Sequence, residues 1–127
     1  MSSKSPLGQA LGQGIVSGTH HWWLQRVTAI ALALLGPWFA VSLLMQQKLD
    51  YVHAHAWLAS PANAVLMLLF VPALVYHSWL GVVVVIEDYV PAKSKKLTAL
   101  VVVQFLHLVT GAAALYGVLK VALGSAA

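Results

Sequence analysis

An all-helical membrane protein with three spans follows from three observations on the sequence. The chain has 127 residues, 61% of them hydrophobic and only 8% charged. Soluble domains carry about 25% charged residues, so this chain lacks the side chains to wet a globular surface. Its mean hydropathy is +0.85, and the apolar residues fall into three long blocks separated by short polar connectors. The length suits a single domain.

The first block runs from about Trp22 to Met45 and holds one charge, Arg26. The second, Leu58 to Ile86, is uncharged, and the third, Leu97 to Leu123, is interrupted only by Lys120. Each is long enough to cross ~30 Å of hydrocarbon at ~1.5 Å per helical residue. Residues 1–21, rich in Gly, Ser and Gln, read as a polar tail with no secretory signal, leaving residues 22–123 as the membrane unit. Pro91 stops the second helix shortly after Glu87 and Asp88.

The net charge of +4 rests on only seven Lys and Arg, placed between apolar blocks. That pattern is a topology signal rather than a nucleic-acid footprint. Lys4, Arg26, Lys93, Lys95 and Lys96 fall on one side, Lys48 and Lys120 on the other. The N-terminus is therefore expected in the cytoplasm and the C-terminus in the periplasm. Trp22, Trp23, Tyr51 and Trp57 lie near the expected interfaces. With no cysteine, disulfides and thiolate ligation by this chain are excluded.

Ionisable groups inside a span are expensive and need a partner. His77 lies in the middle of the second block, and Asp88 follows eleven residues later on nearly the same face. Gly81, one turn after His77, leaves room for a flat group such as a porphyrin with His77 on its iron. Alternatively, Gly81 permits close helix packing and His77 bonds a neighbouring helix. Pro72 reads as a tolerated membrane kink.

Arg26 either snorkels to the headgroups or pairs with a buried anion; His20 and His21 precede it at the interface. Glu87-Asp88-Tyr89 is a solvated helix end unless a quinone docks there, in which case the phenol donates a hydrogen bond and the carboxylate relays protons. Gln104, His107 and Gly111 share a face of the third helix. That stripe is expected to be a helix–helix contact, with His107 as a second haem ligand the rival reading. His53 and His55 are read as interfacial residues.

The segment His77-Ser-Trp-Leu-Gly81 followed by Asp88-Tyr89, and the segment Gly18 to Ala29 containing His20, Arg26 and Thr28, resemble the hydrophobic membrane anchor subunit of succinate dehydrogenase. The resemblance covers roughly Gly18 to Lys96. It implies a helical bundle completed by a second anchor subunit, in a respiratory complex with an iron–sulfur subunit and a flavoprotein, in the bacterial inner membrane. Haem b would be shared by the two anchors, with His77 as one axial ligand, Arg26 on a propionate and His20 close by. A quinone, the substrate, would meet Tyr89 with Asp88 beside it, and the chain alone would hold no complete active site. His107 takes no role from the resemblance. A quinol:fumarate reductase anchor and a cofactor-free membrane assembly protein are the competing readings.

Overall fold

A computed structural model describes the backbone of residues 16–124. Among them four helices follow in order: α1 (Val16–Leu44), α2 (Tyr51–Ala59), α3 (Pro61–Tyr89) and α4 (Lys93–Gly124). Three are long and apolar enough to cross a membrane: α1 from Thr19 onward, α3 and α4. The expected class, an all-helical membrane protein with three spans, is the one observed.

The ends differ from expectation in informative ways. Helix α1 begins at Val16, so the helix takes in the last residues of the expected 1–21 tail; the rest of that tail lies outside the described residues. The connector before the second span contains a helix of its own. Asp50 caps α2, accepting from the His53 backbone N–H at 2.9 Å. A carboxylate at the N-cap satisfies one of the first-turn amides that have no helical partner. After Ala59 a single residue, Ser60, separates α2 from α3, and Pro61 takes the first turn of α3, where its missing N–H costs nothing. Asn63 Nδ2 donates to the Trp57 carbonyl at 2.9 Å and ties the corner.

At the other end of α3, Glu87, Asp88 and Tyr89 remain helical, and the Val90 N–H closes the last turn on the Ile86 carbonyl at 3.1 Å. The connector shrinks to residues 90–92. Lys96 Nζ donates to the Glu87 carbonyl at 2.8 Å, placing a cation where the carbonyl ends of α3 gather.

Helix α3 is the centre of the molecule. It packs against α1 on one side and α4 on the other, and α1 and α4 make no backbone contact among the described residues. Along the first seam, His21 meets Trp79, Thr28 meets His77 and Phe39 meets Phe70. Rising numbers in α1 meet falling numbers in α3, so the two are antiparallel. On α1 the facing residues are seven and eleven apart, the spacing of one helix face. At the α2 end, Trp38 stacks on Trp57 with ring centres 5.7 Å apart, and Phe39 on Phe70 at 5.0 Å. Trp57 is thus packed into an aromatic corner with Trp38 and Phe39.

The buried side chains Ala64, Phe70, Val71, Leu80 and Val83 all belong to α3, and α4 adds Val118. Outside α3, large apolar side chains such as Leu34, Phe105 and Val109 are more than 60% exposed. In water such a surface would drive aggregation; in a bilayer it faces lipid tails or partner helices.

Candidate functional site

His77 sits close to the middle of α3, half-buried on the side that faces α1. Its Nδ1 lies 3.0 Å from Thr28 Oγ1. The Thr28 hydroxyl also lies 2.7 Å from the Leu24 carbonyl and 3.2 Å from that of Gln25. A hydroxyl has one proton, and a carbonyl can only accept. The short contact to Leu24 therefore takes the Thr28 proton, and the lone pair of Oγ1 accepts from His77. This puts a proton on Nδ1, and in the imidazole tautomer that follows the lone pair is on Nε2. Among the described residues Nε2 has no hydrogen-bond partner.

One turn on, a Cβ placed on Gly81 would meet nothing within 4 Å. Gly81 is therefore not a close-packing glycine within this chain; it borders open space. Its counterpart is Gly111 on α4, where a Cβ would come 3.3 Å from Val75 Cγ1. That glycine lets α3 and α4 approach.

His107 belongs to the same seam as Gly111, and both of its nitrogens are used. Nδ1 lies 2.9 Å from the Val103 carbonyl, so it carries the proton. Nε2 then accepts from Ser78 Oγ at 3.3 Å. Of the Gln104–His107–Gly111 stripe, His107 and Gly111 make helix–helix contacts, and the bonding of His107 leaves no lone pair for a metal.

Arg26 is exposed, and its guanidinium lies 5.3 Å from the centre of the Trp22 ring. A cation over an indole face gains about 0.5–2 kcal/mol. Thr28 is two residues further, roughly 200° around the helix, so Arg26 leaves α1 on the side away from His77. His20 and His21 are both exposed, but only His21 leans on α3, its ring centre 6.2 Å from that of Trp79. Of the two adjacent histidines, His21 is the one on the α3 face. The buried Trp79 indole N–H has no partner among the described residues.

Asp88 and Tyr89 end α3, both exposed, and neither side chain has a hydrogen-bond partner among the described residues. At the opposite end Asp50 is fully engaged. It accepts from the His53 N–H and lies 2.7 Å from His53 Nδ1. The His53 backbone N–H first, and its side chain second, hold the Asp50 carboxyl below its ordinary value. His55 packs against Tyr51 at 5.7 Å between ring centres. No group of three His, Cys, Asp or Glu that could hold a metal ion occurs among the described residues. A metal held here would need ligands from elsewhere; His77, beside the open space at Gly81, could offer it one nitrogen.

Residues 1–114 match the family described as succinate dehydrogenase/fumarate reductase transmembrane subunit. The chain belongs to this family. Among curated relatives, the succinate dehydrogenase hydrophobic membrane anchor subunit of Rickettsia felis is 44% identical over 98 residues, which is 76% of this chain and 81% of the relative. The subunit of the same name from Rickettsia conorii is 41% identical over 95 residues, 74% of this chain and 75% of the relative. That of Paracoccus denitrificans is 31% identical over 108 residues, 85% and 83% of the two chains. The chain is an integral membrane protein of this anchor family.

Two features of the site are not assigned by the sequence reading. Thr28 lies within the first-helix motif without a role there, because only tertiary contact brings it to His77. The lean of His21 toward α3 has a signal: it shares the seven-residue spacing to Thr28 that marks one helix face.

Proposed function

We propose that this chain is a membrane anchor subunit of a succinate:quinone oxidoreductase, supplying one axial ligand to haem b and part of a quinone-reducing site. The observation that supports the haem role best is the state of His77. It is an intramembrane imidazole whose Nδ1 is satisfied by Thr28, whose Nε2 has no partner among the described residues, and which has open space at Gly81 one turn away. When bound, haem b supplies a one-electron store beside the path from the iron–sulfur subunit to the quinone. His77 would bind through Nε2 and Gly81 would leave the space clear. The second axial histidine comes from a partner anchor, because His107 is already bonded at both nitrogens.

Arg26 is assigned to a propionate, which it would have to reach from the side of α1 away from His77; His20 is assigned beside it, although His21 is the histidine that faces α3. Because Arg26 rests on Trp22, that contact requires the guanidinium to share or leave the ring. Tyr89 is assigned to a quinone oxygen as a hydrogen-bond donor, with Asp88 beside it to pass protons. Both side chains are exposed and without a hydrogen-bond partner among the described residues, at a helix end for which the charge asymmetry favours the cytoplasmic side. The flavoprotein, iron–sulfur and second anchor subunits complete the complex, in a bacterial inner membrane.

The test is made on the assembled complex in mild detergent. His77→Leu is expected to remove or alter the low-spin haem spectrum, while His107→Leu leaves it in place. An unchanged spectrum in His77→Leu would overturn the assignment, and wild-type complex without haem would favour a cofactor-free assembly role. The ratio of succinate oxidation to fumarate reduction in the same preparation separates the dehydrogenase from a fumarate reductase.

A further inference from the structure

We infer that Thr28 is a positioning residue that fixes the tautomer and ring plane of His77, so that Nε2 rather than Nδ1 is presented for ligation. This role rests on the haem assignment above and extends it to a residue on a different helix.

Thr28 Oγ1 has three close neighbours: the Leu24 carbonyl at 2.7 Å, the Gln25 carbonyl at 3.2 Å and His77 Nδ1 at 3.0 Å. Two are carbonyls and cannot donate. A hydroxyl proton directed at His77 would leave two oxygens facing each other at 2.7 Å without a hydrogen between them. Directed at Leu24, it leaves a lone pair aimed at the ring, and His77 donates. The back-bond of Thr28 to its own helix therefore makes it an acceptor toward α3.

Membrane depth strengthens the constraint. In hydrocarbon there is no water to satisfy an imidazole N–H that turns away, so the loss of its acceptor is felt in full. Ligating histidines commonly donate their second nitrogen's proton to a neighbouring acceptor, which sets the ring orientation and raises electron donation to the metal. Here that acceptor comes from α1 of the same chain. One consequence is that α1 and α3 must be docked before the ligand is correctly aimed.

Thr28→Val and Thr28→Ser separate this role from packing. Val keeps the shape of Thr and removes the hydroxyl; Ser keeps the hydroxyl and removes the methyl. In the assembled complex, Thr28→Val is expected to move the haem midpoint potential to a more positive value, since a weaker donor favours the oxidised iron less. It should also shift the low-spin electron paramagnetic resonance signal, because the imidazole plane is released. Thr28→Ser should restore both to wild type. Thr28→Ala, which removes the hydroxyl and adds no bulk, repeats the test should Thr28→Val fail to assemble. If Thr28 served only to pack, Thr28→Val would be silent and Thr28→Ser would be the disturbed variant.

An unchanged potential and resonance in both Thr28→Val and Thr28→Ala, with His77→Leu still losing the haem signal, would overturn this inference alone. A wild-type haem signal surviving in His77→Leu would overturn the haem assignment beneath it.

Discussion

The two seams that flank α3 hold the same kinds of residue and use them differently. Toward α4, the histidine is His107 and the glycine is Gly111; toward α1, the histidine is His77 and the glycine beside it is Gly81. His107 has a partner on each nitrogen, and Gly111 is pressed against Val75. His77 has a partner on one nitrogen, and Gly81 faces space. In lipid an unsatisfied polar group costs several kcal/mol. The completed side is a structural seam, and the other side leaves His77 Nε2 without a partner among the described residues and space at Gly81. The regions at the two ends of α3 repeat the contrast: the Asp50 carboxylate is bonded within its own helix cap, while the Asp88 and Tyr89 side chains have no hydrogen-bond partner among the described residues.

Exchanging the properties of the two glycines is the strongest way to break this comparison. Gly81→Leu meets no neighbour at Cβ, so the chain should still insert and assemble, yet the complex should lose most of its haem. Gly111→Leu forces Val75 aside and should weaken the α3–α4 seam by about 1–3 kcal/mol, seen as earlier thermal dissociation in detergent, with the haem spectrum retained. Haem lost from Gly111→Leu and kept in Gly81→Leu would mean the two sides have been assigned the wrong way round.

A smaller effect sharpens the comparison between the ends. Tyr89→Phe keeps the ring and deletes the donor. Succinate–quinone turnover should fall about tenfold, equivalent to about 1.4 kcal/mol, while haem content and reduction of a water-soluble dye stay near wild type. Full quinone turnover in this variant would move the quinone contact onto partner subunits.

The smallest expected effect is at Asp50. Its carboxyl is held below the ordinary value by the His53 N–H and side chain. A depressed folded value means that the carboxylate stabilises the cap above the ordinary carboxyl range and loses that contribution as pH falls through the folded value. Amide hydrogen exchange at His53, corrected for intrinsic rates, should show protection falling as the pH drops below the ordinary carboxyl range. Asp50→Ala should start with low protection and show little of that dependence. Equal acid sensitivity in both proteins would remove the carboxylate as its cause.

The spans are legible because the solvent acts on composition. A run of apolar residues without charge specifies a membrane helix wherever it stands, and the second and third blocks occupy nearly their expected positions. The helix ends are less legible. Glu87–Tyr89 read as connector because they are polar, yet the backbone ladder continues until Pro91 denies it a donor. Helix α2 is hidden from hydropathy, since nine residues with two histidines resemble a loop. Its signal is a different one, Asp50 placed just before a run free of glycine and proline.

The sequence by itself determined that this chain has three membrane-spanning helices, that His77 lies near the middle of the second with a glycine one turn away, and that two short motifs resemble an anchor family. Those properties depend on residue identity and on spacing along one helix. Tertiary structure alone decided that His77 has its Nδ1 proton committed to Thr28, that both nitrogens of His107 are spent, and that Gly81 is open where Gly111 is closed. Each of these depends on which atoms meet across helices, and hydrogen-bond saturation is a property of such meetings, which spacing within a single helix does not encode.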